Sequence, residues 1–331
     1  MIKRPIDVED YSEMLEPKVT LISYTKNPIE TLVKMWISSR GESILKNKDE
    51  QEQIFKMLLE TDIPLIESIN LIFLLENVSI SWREQAVRHR IGSKMGSNYG
   101  VDIIPDLTDS MWWSESMRIK DMGEFATLRR FRIPDSIKES VDMDILTSYI
   151  SCMYVIEKTY NYLVSNGIPR EDARELIPLC AHHRITWSMN LKSFKHIINK
   201  RTCWILQADL WMPIIIQMCQ EVSKISDVIK EIILPPCFKN GVFKECVYWH
   251  ENVRRIAGED KMLPCPLYLL QDKDFGKMES LDVLSDKCWN TCLSVNNNYI
   301  ANSGINKETW NHWYLERLML YSTIWINKFL I

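Results

Sequence analysis

The sequence predicts an α+β protein, and three observations carry that prediction. The run "PKVTLISYT", Pro17 to Thr25, is β-branched and alternating, as a half-buried strand is. Two segments of helical period follow it before the chain returns to an apolar, β-rich run, "SINLIFLLENVSIS". The order strand, helix, helix, strand, then a polar segment reads as mixed α+β. Finally, ten glycines are few for 331 residues, which fits long helices and few turns.

The elements follow in order. "NPIETLVKMWISSRG" has the punctuation of a helix, with Asn27 at the N-cap, Pro28 in the first turn and Gly41 at the stop. "DEQEQIFKMLLETD" repeats the pattern and places Ile54, Met57 and Leu58 on one face. After the second strand, "WREQAVRHR" has polar residues at helical spacing. Residues 94–135 read as a long excursion, whose opening stretch "KMGSNYGVDIIPDLTDSMWWSES" contains two glycines, Pro105 and the pair Trp112-Trp113. A loop of that length is a functional one or a disordered one, and the tryptophans argue against full disorder. Helical pattern resumes over 136–166, and "GIPREDARELIPL" reads as a turn and a short helix. A long helical stretch then begins near Ser188 and is expected to break at Pro213. Pro235-Pro236 closes it, leaving 236–331 as an appended helical region without clear periodicity.

Composition narrows the function. Hydrophobic residues at 46% and charged residues at 25% suffice for a buried core. A net charge of −4 excludes a general nucleic-acid binder, so any anion must be held by a local arginine cluster. The N-terminal "MIKRPIDVEDYSEM" lacks an apolar signal core, and the apolar runs are interrupted by Glu67 and Asn70. Nine cysteines, an odd number, fit reduced thiols. The expectation is a cytoplasmic protein with no membrane partner.

The chemistry-bearing residues are arginines. "AVRHRIGSK" sets Arg88 and Arg90 around His89, and Arg118, Arg174 and Arg201 stand in later segments. A guanidinium grips phosphate through two parallel hydrogen bonds, a geometry that lysine does not reproduce. Arginines gathered from such distant segments suit a nucleoside monophosphate and a phosphate-bearing cofactor.

"VRHRIGS" resembles the opening of the signature of flavin-dependent thymidylate synthases, Arg-His-Arg-x-x-Ser followed by Asn-Glu-x-Ser-x-Arg-Tyr. "PKVTLISYTKNP" is similar to that family's first strand and turn, and Gln85 stands where the family has a glutamine. The second block, "ARELIPLCAHHRITWSMNLKSFKHIINKRTCWILQ", carries Arg174, Pro178-Leu179, Trp187, Asn190, Ser193, Arg201 and Gln207 in family order. The resemblance covers about residues 17–210.

It implies an α+β fold with an antiparallel-rich sheet and long helices, in a homotetramer whose sites form where subunits meet. It also implies FAD, with methylenetetrahydrofolate as carbon donor and NADPH as reductant, and conversion of dUMP to dTMP without a protein nucleophile. Carried over by residue, Gln85, Arg88, Arg174 and Arg201 would hold the nucleotide, with Arg201 polarising the pyrimidine as the catalytic group. Arg88, His89, Arg90 and Asn190 would contact the flavin.

The chain departs from the pattern after Ser93, where "KMGSNYG" replaces the rest of the signature. "WSESMRI" supplies Glu115, Ser116 and Arg118 as substrate residues after an insert at about 94–113, with Ser114 for the Asn and Ile119 for the Tyr. Lys192 replaces a flavin-contacting arginine, His196 an asparagine and Ile205 a histidine. Retained phosphate arginines with altered cofactor contacts suit either methylation or hydroxymethylation of a pyrimidine monophosphate. A flavin-free binding or assembly protein is the alternative. Residues 1–235 form the expected catalytic domain and 236–331 its extension. His182-His183 reads as a satisfied pair in a helix or strand edge, and no metal is expected. The spacing of Cys237, Cys246, His250 and Cys265 is too irregular to favour zinc over buried thiols.

Overall fold

The computed structural model describes residues 14–41, 47–61, 63–88, 110–116, 120–138, 140, 142–202 and 208–233. Four strands form one antiparallel sheet in the order β1-β2-β4-β3: β1 Lys18–Tyr24, β2 Asn70–Ser79, β3 Ser110–Ser114 and β4 His182–Asn190. The α+β class is as the sequence predicts. Alternation defines the buried face: Leu71, Phe73 and Leu75 of β2 sit beside Ile185, Trp187 and Met189 of β4. β2 bulges between Leu75 and Val78, with Asn77 at φ 57°, so the strand bends before it enters the next helix.

Helices α1 (Pro28–Ser39) and α2 (Lys48–Glu60) form between β1 and β2. Asn27 takes the position before α1 at φ 49°, and its main-chain carbonyl accepts the Thr31 N–H at 2.9 Å, but its side-chain oxygen caps no N–H; its side-chain amide reaches Glu30 instead. The true capping box is at Asn47, which accepts the Glu50 N–H at 2.9 Å while Glu50 accepts the Asn47 N–H at 3.1 Å. The stripe α2 buries is Phe55, Leu58 and Leu59, and Met57 faces out. The expected face was rotated by one residue because Phe55 outweighs Ile54 and Met57 in the volume it fills.

Two expectations fail. The excursion over 94–135 contains strand β3, whose five residues Ser-Met-Trp-Trp-Ser pair with a strand more than seventy positions away and show no local alternation. The helical stretch begins later and breaks elsewhere. Residues 188–190 complete β4, α7 (Leu191–Arg201) ends ahead of Thr202, and Pro213 lies inside α8 (Ala208–Ser223). In the second turn, proline forfeits one bond to the Asp209 carbonyl. Gln217 Nε2 donates to the Pro213 carbonyl at 3.1 Å.

Gln217 also binds β1, which among the described residues has β2 as its strand neighbour on one side. Gln217 Oε1 accepts the Val19 N–H at 3.0 Å, its Nε2 donates to the Pro17 carbonyl at 2.7 Å, and Glu221 accepts the Leu21 N–H at 3.4 Å. One helical turn between Gln217 and Glu221 spans about 6 Å, close to two strand residues at roughly 6.6 Å, so the spacings match.

A second apolar cluster joins α5 (Met143–Ser165) to the segment 122–133. Leu146, Ile150, Met153 and Tyr160 of α5 meet Met122, Phe125, Phe131 and Ile133 there. Buried Glu157 accepts the N–H groups of Ala126 and Thr127 at 2.6 and 2.9 Å and the Thr127 hydroxyl. The short helices α4 (Asp135–Lys138) and α6 (Arg170–Ala173) flank α5. The chain divides into two compact units, Met1–His196 with Asp209–Val222, and Ile197–Ala208 with Ser223–Ile331. Within the described part of the second lie the end of α7 and α9 (Asp227–Ile232).

Candidate active site

The candidate residues fall at two ends of β4. At its start, α3 (Ile80–Ala86) grows directly out of β2, capped by Ser79 Oγ, which accepts the Trp82 N–H at 3.2 Å. The Ile80 and Ser81 N–H groups donate to the carbonyls of Ala181 and Leu179 at 3.0 and 2.8 Å, fastening α3 to the turn that leads into β4. Beneath α3 four tryptophans pack together. Trp82 meets Trp187 and Trp211 at centroid distances of 5.9 and 5.1 Å, and Trp112 stacks on Trp187 at 3.9 Å. Trp112 thus anchors β3 to the sheet, whereas Trp113 is 54% exposed. Gln85 Oε1 accepts the Trp211 indole N–H at 2.8 Å. Arg88 stands one turn on, exposed, its backbone N–H donating to the Gln85 carbonyl at 3.3 Å.

Charge concentrates beside this helix. The Glu115 N–H donates to the Arg184 carbonyl at 2.9 Å, which continues the β3–β4 pairing by one step. Lys120 Nζ donates to Glu115 Oε2 at 2.8 Å and to the His182 carbonyl at 3.1 Å. Burial opposes ionisation of Glu115, but the hydrogen bond and charge of Lys120, aided by His183 and Arg184, outweigh it and hold the carboxyl below the usual range. Burial, reinforced by the cations Arg83 and Lys120 against the weaker opposing pull of Glu115, pushes His183 down to about 4. Burial together with Lys120 and Arg132 pushes His182 down to about 3. Both imidazoles are therefore neutral at pH 7. Arg83 Nη1 lies 3.5 Å from His183 Nε2. A guanidinium only donates, so Nε2 is the acceptor and the ring proton sits on Nδ1. The Nδ1 atoms of both histidines are buried without a partner, so the expected satisfied pair is instead a pair with one orphan nitrogen each.

At the far end of β4, Asn190 Oδ1 accepts the Ser193 N–H at 2.8 Å and starts α7. Lys192 Nζ pairs with Glu67 Oε1 at 3.0 Å. The Ser193 hydroxyl is buried without a partner, and His196, half-buried, lies one turn on. An unpartnered buried hydroxyl beside an amide and a lysine is the donor set that a polar, phosphate-bearing cofactor fits.

The structure thus gathers Gln85, Arg88, Glu115 and Ser116 near the start of β4, and Asn190, Lys192 and His196 at its end. Eight residue steps separate His182 from Asn190, roughly 26 Å of strand. Arg174 lies on the short 3-10 turn Arg174–Leu176 ahead of β4, with Nε donating to the Glu171 carbonyl at 3.0 Å. Arg201 is the last residue of α7 and belongs to the second unit. His89, Arg90, Arg118, Gln207 and the four candidate zinc residues lie outside the described residues. Sequence reasoning missed Lys120 and Arg83, which are ordinary surface residues by type. The one available signal was Lys120's position just past "WSESMRI". Among the described residues, no group of three or more His, Cys, Asp or Glu is placed to hold a metal, and no helix is long and apolar enough to cross a membrane.

Residues 20–225 match the model of the thymidylate synthase complementing protein family. The chain is 28% identical over 243 residues to a flavin-dependent thymidylate synthase of Pyrococcus abyssi, covering 69% of this chain and 89% of that protein. It is 26% identical over 222 residues to the protein of the same description from Pyrococcus furiosus, covering 64% and 81%. Among solved structures, a UMP/dUMP methylase from Streptomyces cacaoi bound with 5-Br dUMP superposes with a TM-score of 0.52 at 18% identity, covering 67% of this chain and 99% of that one. At that identity the likeness is one of fold.

Proposed function

The chain belongs to the thymidylate synthase complementing protein family, and we propose that it is an FAD-dependent enzyme that methylates carbon 5 of a pyrimidine nucleoside monophosphate, dUMP to dTMP. The observation that carries this reading is that the family match spans α3, β4 and α7 together, the elements that bear the candidate residues. Curated relatives described as flavin-dependent thymidylate synthases support FAD, and the methylase bound with 5-Br dUMP shares the fold.

Under this reading the protein's work is positioning and electrostatics. Gln85, Arg88 and Ser116 hold the nucleotide at the start of β4, and Arg174 grips its phosphate, joined by Glu115 and Arg118. Arg201 stabilises negative charge on the pyrimidine as carbon 5 is activated, and no side chain attacks the ring. Asn190, Lys192 and His196, with Arg88, His89 and Arg90, hold FAD, which supplies the hydride when bound. NADPH reduces the cofactor and methylenetetrahydrofolate gives the carbon. Because Gln85, Arg88, Glu115 and Ser116 lie near the start of β4 while Asn190, Lys192 and His196 lie at its end, one site takes these groups from different copies in a homotetramer. Residues 1–235 carry this activity and 236–331 are an appended region.

The test is incubation of the purified protein with FAD, NADPH, methylenetetrahydrofolate and dUMP, UMP or dCMP in turn. The expected outcome is flavin absorbance bands and a dUMP product heavier by one methyl group. A hydroxymethyl mass gain would redirect the carbon chemistry. A colourless protein that takes up no added FAD would sink the enzyme reading.

A further inference from the structure

We propose that Lys120 is a positioning residue for the nucleotide, a deepening that rests on the reading above. Three observations carry it. The segment Ser114–Ser116 runs off the end of β3, which among the described residues is an edge strand paired with β4 alone. Past Ser114 the backbone is tied to β4 by a bond from the Glu115 N–H to the Arg184 carbonyl. Lys120 supplies a second tie from outside the strand: one ammonium, with 13% of its side chain exposed, reaches both Glu115 Oε2 and the His182 carbonyl. The Lys120 N–H donates to the Ser116 carbonyl at 2.9 Å, a further link between the same residue and this segment.

The physical consequence is specific. A strand that loses its ladder is free to swing, and a ligand group on it is free with it. Lys120 removes that freedom by cross-bracing Glu115 to β4 at His182, two residues before the Arg184 tie. It takes the Oε2 oxygen of the Glu115 carboxylate. Ser116 and Glu115 then meet the nucleotide from a fixed frame. The lysine touches Glu115 and the backbone; it acts on the nucleotide through them.

The test compares Lys120→Met, Lys120→Gln and Lys120→Arg with the wild-type protein, using dUMP as probe in titration calorimetry and FAD uptake followed by absorbance. The expected result is a loss of dUMP affinity on the order of tenfold for Met and Gln, with a matching rise in KM and a kcat at saturating dUMP within about threefold. FAD uptake stays unchanged, and Lys120→Arg recovers most of the affinity. Equal dUMP affinity in wild type and Lys120→Met would overturn the proposal. So would a parallel loss of FAD uptake and dUMP affinity in the Gln variant, which marks general structural damage. Failure of the wild-type protein itself to bind dUMP, UMP or dCMP is a different result, and overturns the nucleotide reading on which this rests.

Discussion

Glu157 shows how much one buried side chain decides. Its carboxylate serves two backbone N–H groups and a hydroxyl in the turn ahead of Arg129, a residue held at φ 54°. Glu157→Ala strands the buried Ala126 N–H, and a loss of about 3 kcal/mol in urea-unfolding free energy is expected. Glu157→Gln keeps an acceptor and should cost less. The histidine pair makes the second prediction at this scale. Their folded values of about 3 and about 4 lie below the ordinary 6.5, so the unfolded chain binds more protons between those limits. Their contribution is complete above pH 6.5 and is lost as pH falls toward 4 and then 3. Each imidazole then costs roughly 2 kcal/mol between pH 7 and 5, and the urea midpoint should fall steeply over that range. Replacing His183 by a neutral, non-titrating residue should flatten the slope. Arg201→Ala should abolish turnover with the thermal midpoint kept, measured by product mass and by scanning calorimetry. At this scale the sequence showed residue types but not their burial: nothing in "CAHHR" marks two histidines as interior.

Among the elements, legibility followed locality. β1, α1, α2, β2 and α5 were readable because capping residues and periodicity lie within each segment. β3 was not, because its existence depends on pairing with β4 and on Trp112 finding Trp187. Pro213 misled for a related reason: it lies inside α8, which continues past the one backbone bond it forfeits, while α7 has already ended at Arg201. The Trp cluster gives the prediction proper to this scale. Trp112→Ala removes a stacked partner and the anchor of an edge strand, with a loss of about 3–4 kcal/mol expected from chemical denaturation. Trp113→Ala, on the exposed face, should change stability by under about 0.5 kcal/mol.

At the scale of the whole molecule, the described candidates Gln85, Arg88, Glu115 and Ser116 fall near one end of β4 and Asn190, Lys192 and His196 at the other, and the sequence could not show this, since none of them carries a mark of which end it occupies. A site assembled from several copies has a consequence in solution. Activity per subunit should fall on dilution below the dissociation concentration, and light scattering should show smaller species over the same range. Constant specific activity in a demonstrated monomer would refute the shared site.

The bond between α8 and β1 has a consequence in time. Gln217 and Glu221 reach β1 across separations of 198 and 200 residues. During synthesis at about 5–20 residues per second, those side chains leave the ribosome roughly 10–40 seconds after β1 does. β2 arrives sooner and covers one margin of the strand, but the Val19 and Leu21 N–H groups on the other stay open to any extended neighbour. The hazard of mispairing therefore belongs to the nascent chain, and slower translation between β1 and α8 lengthens it.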